Sequence, residues 1–159
     1  MLKRLFSLVI VATLIGTIGC ASSPPAGTGH DAAGLSSGGL VGAWLASASR
    51  PGGEGVVLLT FTSDGTFFRS GDTHPTLSVA HGSWVRVGPG EFEATYIALR
   101  FDENKKLIGS QKTRIRLNQG PGPETFTGLA KVSVLDLTGK EERTSETRLQ
   151  GKRIRVEPF

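Results

Sequence analysis

From Leu40 onward, apolar and polar residues alternate along most of the chain, the period of strands with one face buried and one wet. The alternation is cut into eight runs: Leu40–Ala48, Val56–Thr62, Thr66–Ser70, Val79–Val87, Phe92–Phe101, Lys106–Leu117, Thr125–Leu135 and Arg143–Val156. Between them stand turn formers: Arg50-Pro51-Gly52-Gly53, Ser63-Asp64-Gly65, Gly88-Pro89-Gly90, Asp102-Glu103-Asn104-Lys105, Asn118 to Pro123, and Asp136 to Lys140. Asp, Asn, Gly and Pro supply the dihedrals and side-chain acceptors that a tight reversal needs. Gly71–Thr76 is a polar loop. Eight strands with short connections predict an antiparallel meander of sequential neighbours. A sheet of that width curls or closes, and closure removes its exposed edges. The expected fold is therefore all-β, an eight-stranded antiparallel up-and-down barrel, preferred over a two-sheet sandwich.

Strand parity assigns the faces. In the sixth run Leu107, Gly109, Gln111, Thr113, Ile115 and Leu117 share the inner face, and Lys106, Lys112, Arg114 and Arg116 lie outside. In the seventh, Phe126, Gly128, Ala130, Val132 and Val134 point inward. The fifth run carries Phe92, Ala94 and Tyr96 on one face but Ile97, Leu99 and Phe101 on the other, which predicts a bulge near Tyr96. Small inward residues leave volume, and an eight-stranded barrel with such volume can hold one small ligand. The expected cavity positions are Trp84, Tyr96, Gly109, Gln111, Gly128, Ala130 and Val132. Glycines that merely relieve crowding at bends are the alternative.

The first forty residues follow a different pattern. Lys3 and Arg4 precede an apolar stretch from Leu5 to Ile18, the length of a signal h-region and short of the ~20 residues a membrane-spanning helix needs. The stretch Thr17-Ile18-Gly19-Cys20 resembles the processing site of bacterial lipoproteins, in which a cysteine after small residues becomes the acylated N-terminus. The resemblance implies lipidation of Cys20, a membrane partner reached through that lipid, and a bacterial cell-envelope location facing the periplasm or the outside. Cleavage after Ala21, giving a secreted protein, stays open because Gly19-Cys20-Ala21 also fits an ordinary signal site. Residues 21–39, rich in Ser, Gly, Ala and Pro, bury too little to offset ordering and are expected to form a flexible linker. The organisation is thus a signal helix over 1–20, a linker over 21–39 and one barrel domain over 40–159.

Charge and composition narrow the function classes. Eighteen basic and fourteen acidic side chains include Lys3 and Arg4, and without those two the net charge is +2. That balance gives no basic face for nucleic acid. The single cysteine excludes an intramolecular disulfide. No spacing of His, Cys, Asp or Glu suggests a metal, and neither a nucleophile elbow nor a phosphate loop is present, so no metal, cofactor or catalytic set is expected. Asp72 with His74, and His30 with Asp31, are accounted for by solvated loop and linker. Lys112, Arg114 and Arg116 are accounted for by a solvated strand face, with anionic lipid or lipopolysaccharide phosphate as the other candidate.

Gly42-Ala43-Trp44 on the first strand of an eight-stranded meander resembles the lipocalin and wider calycin pattern, and Phe61–Thr66, Gly82-Ser83-Trp84 and Gly88–Phe92 add to the likeness. The resemblance implies that Trp44, preceded by Gly42, closes one end of the barrel against a basic residue of the last strand, Arg148 or Arg153, and that the interior takes an apolar ligand. Three functions follow. The first is an apolar-ligand binding module at the envelope. The second is a filled structural or interaction barrel. The third is a barrel-type cyclase or isomerase, which would need a polar group such as His81, Glu93 or Tyr96 on the cavity floor.

Overall fold

A computed structural model describes residues 39–73 and 75–159. Cys20, the signal segment, the linker up to residue 38, and His74 lie outside the described residues. The domain is a closed barrel of eight antiparallel strands in sequential order: β1 (Gly42–Arg50), β2 (Gly53–Phe61), β3 (Thr66–Gly71), β4 (Ala80–Gly88), β5 (Glu91–Phe101), β6 (Leu107–Gln119), β7 (Thr125–Leu135) and β8 (Glu141–Arg153). Closure is made by β1 pairing with β8, from Trp44 opposite Arg153 to Ser49 opposite Arg148.

Strand ends differ from the expected ones where a turn is tighter than the sequence advertises. Arg50 pairs with Gly53, so Pro51-Gly52 alone forms the first hairpin, and β1 and β2 each extend toward it. β8 stops at Arg153, short of Val156. Three of the turns share one device. Asp64 accepts the Thr66 amide at 2.9 Å, Asp102 those of Asn104 and Lys106 at 2.9 and 2.8 Å, and Asp136 those of Thr138 and Lys140 at 2.8 and 3.0 Å. The Thr62 hydroxyl on Asp64, then the Thr66 amide, holds the Asp64 carboxyl below its ordinary value. The Thr138 hydroxyl and the Lys140 amide do the same for Asp136. Both groups therefore stabilise the folded state above the usual carboxylate range, and that contribution is lost as pH falls through their lowered values.

β5 corrects the expected bulge. Its register runs unbroken through Tyr96, which sits between Gly82 and Thr113, and the irregularity falls at Arg100–Phe101 instead. Phe92, Ala94, Tyr96 and Ala98 all face inward, while Ile97 and Leu99 remain nearly half exposed. The sheet resolves the conflict by leaving an apolar outer face: Ile97 pairs with His81, whose ring meets Phe68 edge-on at 5.2 Å. The same irregularity explains Leu107, which is exposed rather than inward, because the register slips between it and Gly109.

The interior is unequal along the barrel axis. One half is packed solid: Phe61 stacks on Phe67 at 4.5 Å, Trp44 meets Phe126 edge-on at 5.1 Å, and Leu40, Phe92 and Leu117 fill between. Trp44 is fully buried and its indole N–H donates to the Leu40 carbonyl at 2.8 Å. The Arg153 guanidinium lies 4.2 Å above its ring and donates to the carbonyls of Val41 (2.7 Å), Gly39 (2.6 Å) and Pro123 (3.0 Å). Of the two arginines named as partners of Trp44, Arg153 fills the role. Arg148 is exposed on the outer face, because one residue of parity separates the sides of a strand. Gly42 is required here: its φ is +130° and a side chain would begin 2.6 Å from Arg153 Nη1. Burial lowers the Arg153 pKa, which Glu124 opposes, and an arginine starting so high keeps its charge.

Replacing Trp44 with Ala should cost ~3–5 kcal/mol and lower the melting temperature by roughly 10 °C or more. A variant melting within a degree or two of the parent would show that the closed end does not depend on this side chain.

Candidate ligand cavity

The other half of the barrel is not filled. A cavity of about 430 Å³ occupies it, opening at the end that carries the β1–β2 hairpin and the β3–β4 connection. Its apolar walls are Ala48, Val57, Leu59, Ile115, Ala130, Val132, Val134 and Leu149, with Leu77 of the β3–β4 connection. These residues are small or medium in size, unlike the aromatic side chains of the packed half, and so leave the space open. Tyr96 marks the boundary: its ring lies 5.5 Å from Phe67 on the packed side and its surface lines the cavity on the other. Gln111, Thr144, Ser145 and Thr147 add polar atoms to the wall.

Four of the seven positions expected from sequence meet here: Tyr96, Gln111, Ala130 and Val132. Three do not. Trp84 stands at the opposite, packed end, its indole N–H donating to the Thr62 carbonyl at 3.0 Å and its ring set against Phe61 and Phe92. Gly109 has φ +149°, and a side chain there would run into the Leu135 carbonyl, so it serves close strand approach at the β6 irregularity. Gly128 faces inward but is overlain by Leu117, whose Cδ2 lies 2.6 Å from where a Cβ would stand. It relieves crowding in the packed half and opens no space. Of the polar groups considered for catalysis, only Tyr96 touches the cavity. His81 is exposed on the outer face, and Glu93 points outward to take two hydrogen bonds from Arg116, at 2.8 and 3.1 Å.

Three guanidiniums line the open half: Arg50, Arg69 and Arg143. Arg69 is the exceptional one, with 5% of its surface exposed. Parity puts it inward, two residues after the buried Phe67, and this was a legible signal in Thr66-Phe67-Phe68-Arg69. Its Nη1 donates to the Thr73 hydroxyl at 3.1 Å, while its buried Nε has no hydrogen-bond partner among the described residues. Asp72 is the carboxylate beside this mouth. It accepts from Arg50 Nη2 at 3.0 Å and from the Val56 amide at 3.2 Å. Partial burial pushes the Asp72 carboxyl up, but those two bonds and the charges of Arg50 and Arg69 outweigh it and leave its pKa below the ordinary value.

Outside the barrel, Arg114, Arg116, Lys131 and Arg148 border a shallow groove across β6, β7 and β8. Lys112 is exposed on the same face of β6. Among the described residues no three His, Cys, Asp or Glu side chains converge as a metal-ligand set, and no helix is long and apolar enough to cross a membrane. The chain matches no family model, no curated protein and no solved structure.

Gly128→Val should lower the melting temperature by several degrees, since the added methyls meet Leu117 and the Arg116 carbonyl and overpacking costs ~1–3 kcal/mol. A Gly128→Val protein as stable as the parent would place free space at this position after all.

Proposed function

We propose that this protein is a lipid-anchored binding module of the bacterial cell envelope whose barrel holds one small apolar or amphipathic molecule. The observation that carries the proposal is the division of the interior. Aromatic residues fill one half, and the other half leaves about 430 Å³ lined by Ala, Val, Leu and Ile together with nearly as many polar side chains. That volume lies in the range of small-molecule sites, ~300–1,000 Å³, which combine an apolar wall with placed polar groups. Trp44 and Arg153 supply the blocked end, so a ligand enters and leaves by the opposite mouth.

The cavity argues against a barrel filled throughout, and the single polar side chain shared with the cyclase idea, Tyr96, has no carboxylate or histidine lining the space with it among the described residues. General acid–base work needs a positioned proton donor or acceptor within hydrogen-bond reach of the reacting group. A binding role needs only the shape and the apolar wall.

The envelope location rests on the sequence around Cys20. Acyl chains on that residue would hold the barrel at a membrane, since two or more chains anchor firmly where one does so marginally. Cys20→Ala should abolish incorporation of radiolabelled palmitate and leave an unprocessed or soluble product. Equal membrane retention, with no label in the parent, would contradict the anchor.

The binding role is tested at Ala130, which is buried and faces the cavity. Leucine there occupies ligand space. The full chain carrying Ala130→Leu should keep its melting temperature within a few degrees and lose most of its affinity for an environment-sensitive apolar dye. Strong destabilisation, at the ~1–3 kcal/mol expected of an overpacked core, together with no dye binding by the parent, would establish a filled barrel instead.

A further inference from the structure

We propose that the molecule held by the barrel is a single-chain amphiphile with a carboxylate head, bound by Arg69 with its tail in the apolar wall; this rests on the binding role proposed above. Arginine is among the side chains least often buried without a partner, because its charge loses hydration that only an anion or several acceptors can replace. Arg69 is buried at the cavity wall and makes one side-chain hydrogen bond among the described residues, from Nη1 to Thr73. Neither Nε nor Nη2 has a partner among the described residues; Nε is wholly shielded by protein atoms, which leaves Nη2 as the donor that a ligand carboxylate can reach. Gly71 stands beside Nη2: a Cβ there would lie 3.0 Å from it, so the missing side chain leaves the guanidinium its place.

The surrounding charge points the same way. Arg50, Arg69 and Arg143 line the cavity, and among the described residues no Asp or Glu does. Asp72, the carboxylate whose field reaches Arg69, already accepts from Arg50 and the Val56 amide, and neither Arg69 nor Arg143 forms an ion pair among the described residues. A ligand carboxylate at Arg69 Nη2 would supply an acceptor there, and Val57, Leu59, Ala130 and Val132 would contact the chain that follows it. A carboxylate brings the opposite charge to the guanidinium and makes a charge-assisted hydrogen bond, whereas a neutral alcohol offers an oxygen and no charge.

The experiment compares laurate, dodecanol and lauryl phosphate as competitors of a neutral apolar dye on the full chain and on Arg69→Gln and Arg69→Lys. The expected result is laurate at least tenfold tighter than dodecanol on the parent. Arg69→Gln should erase that difference by weakening laurate alone, and Arg69→Lys should keep part of it, because lysine retains charge without the guanidinium. Laurate and dodecanol binding the parent equally would overturn the head-group assignment and leave the cavity proposal standing. Displacement by none of the three, with no dye bound, would overturn the cavity itself. Lauryl phosphate binding more tightly than laurate would overturn the carboxylate in favour of a phosphate head. The parent comparison needs no variant, so the proposal stays testable if Arg69→Gln fails to fold.

Discussion

A ring of eight strands fixes the interior width, and every other property of this domain depends on which side chains fill that width at each level along the axis. Eight strands enclose a space that ordinary side chains just fill. Here the filling is uneven. Trp44, Phe61, Phe67, Phe92 and Phe126 crowd one half, while Ala48, Val57, Ala130 and Val132 line the other without meeting across it. The packed half gives the ring a solid floor, and the open half is left as a space with one mouth.

Closure itself is secured at the packed end. β1 must find β8, its partner most distant in sequence, and the contact that ties them is Trp44 under Arg153. The arginine also gathers the carbonyls of Gly39, Val41 and Pro123, so one side chain links the entry strand, the exit strand and the β6–β7 connection. An arginine is suited to this because its five donors are fixed in a plane that can stack on an indole and still reach several acceptors. Non-local pairing of this kind is slow to form, and a buried aromatic anchor at the seam makes the correct register the one that buries the most apolar surface.

The sequence exposed the architecture more fully than the site, for a physical reason. Period-two alternation and Asp- or Gly-centred turns are local signals, and they yielded all eight strands, their order and the inward face of β7 and, beyond Leu107, of β6. The face conflict in β5 misled because Ile97 and Leu99 are apolar yet lie outside, where no local pattern distinguishes a half-exposed apolar residue from a buried one. For the cavity, parity tells which face a residue occupies but not how far along the axis it sits, and this misplaced Trp84. Nor does a glycine's smallness reveal what lies over it: Gly128 is covered by Leu117 and Gly109 by the Leu135 backbone. Arg69 was legible from its parity with Phe67, but a charged residue is expected outside, and only its burial and its empty Nε distinguish it from the solvated arginines of β6.

The central claim is that the open half of the barrel, and not its partly apolar exterior, receives the ligand. Methyl-resolved NMR of the domain during titration with laurate tests it most directly. The account predicts shifts at the methyls of Val57, Leu59, Ala130, Val132 and Val134, with Leu40 and Leu117 in the packed half and Leu45 and Leu58 on the outer face unmoved. Shifts confined to Leu45, Leu58, Ile97 and Leu99, with the cavity methyls silent, would contradict it.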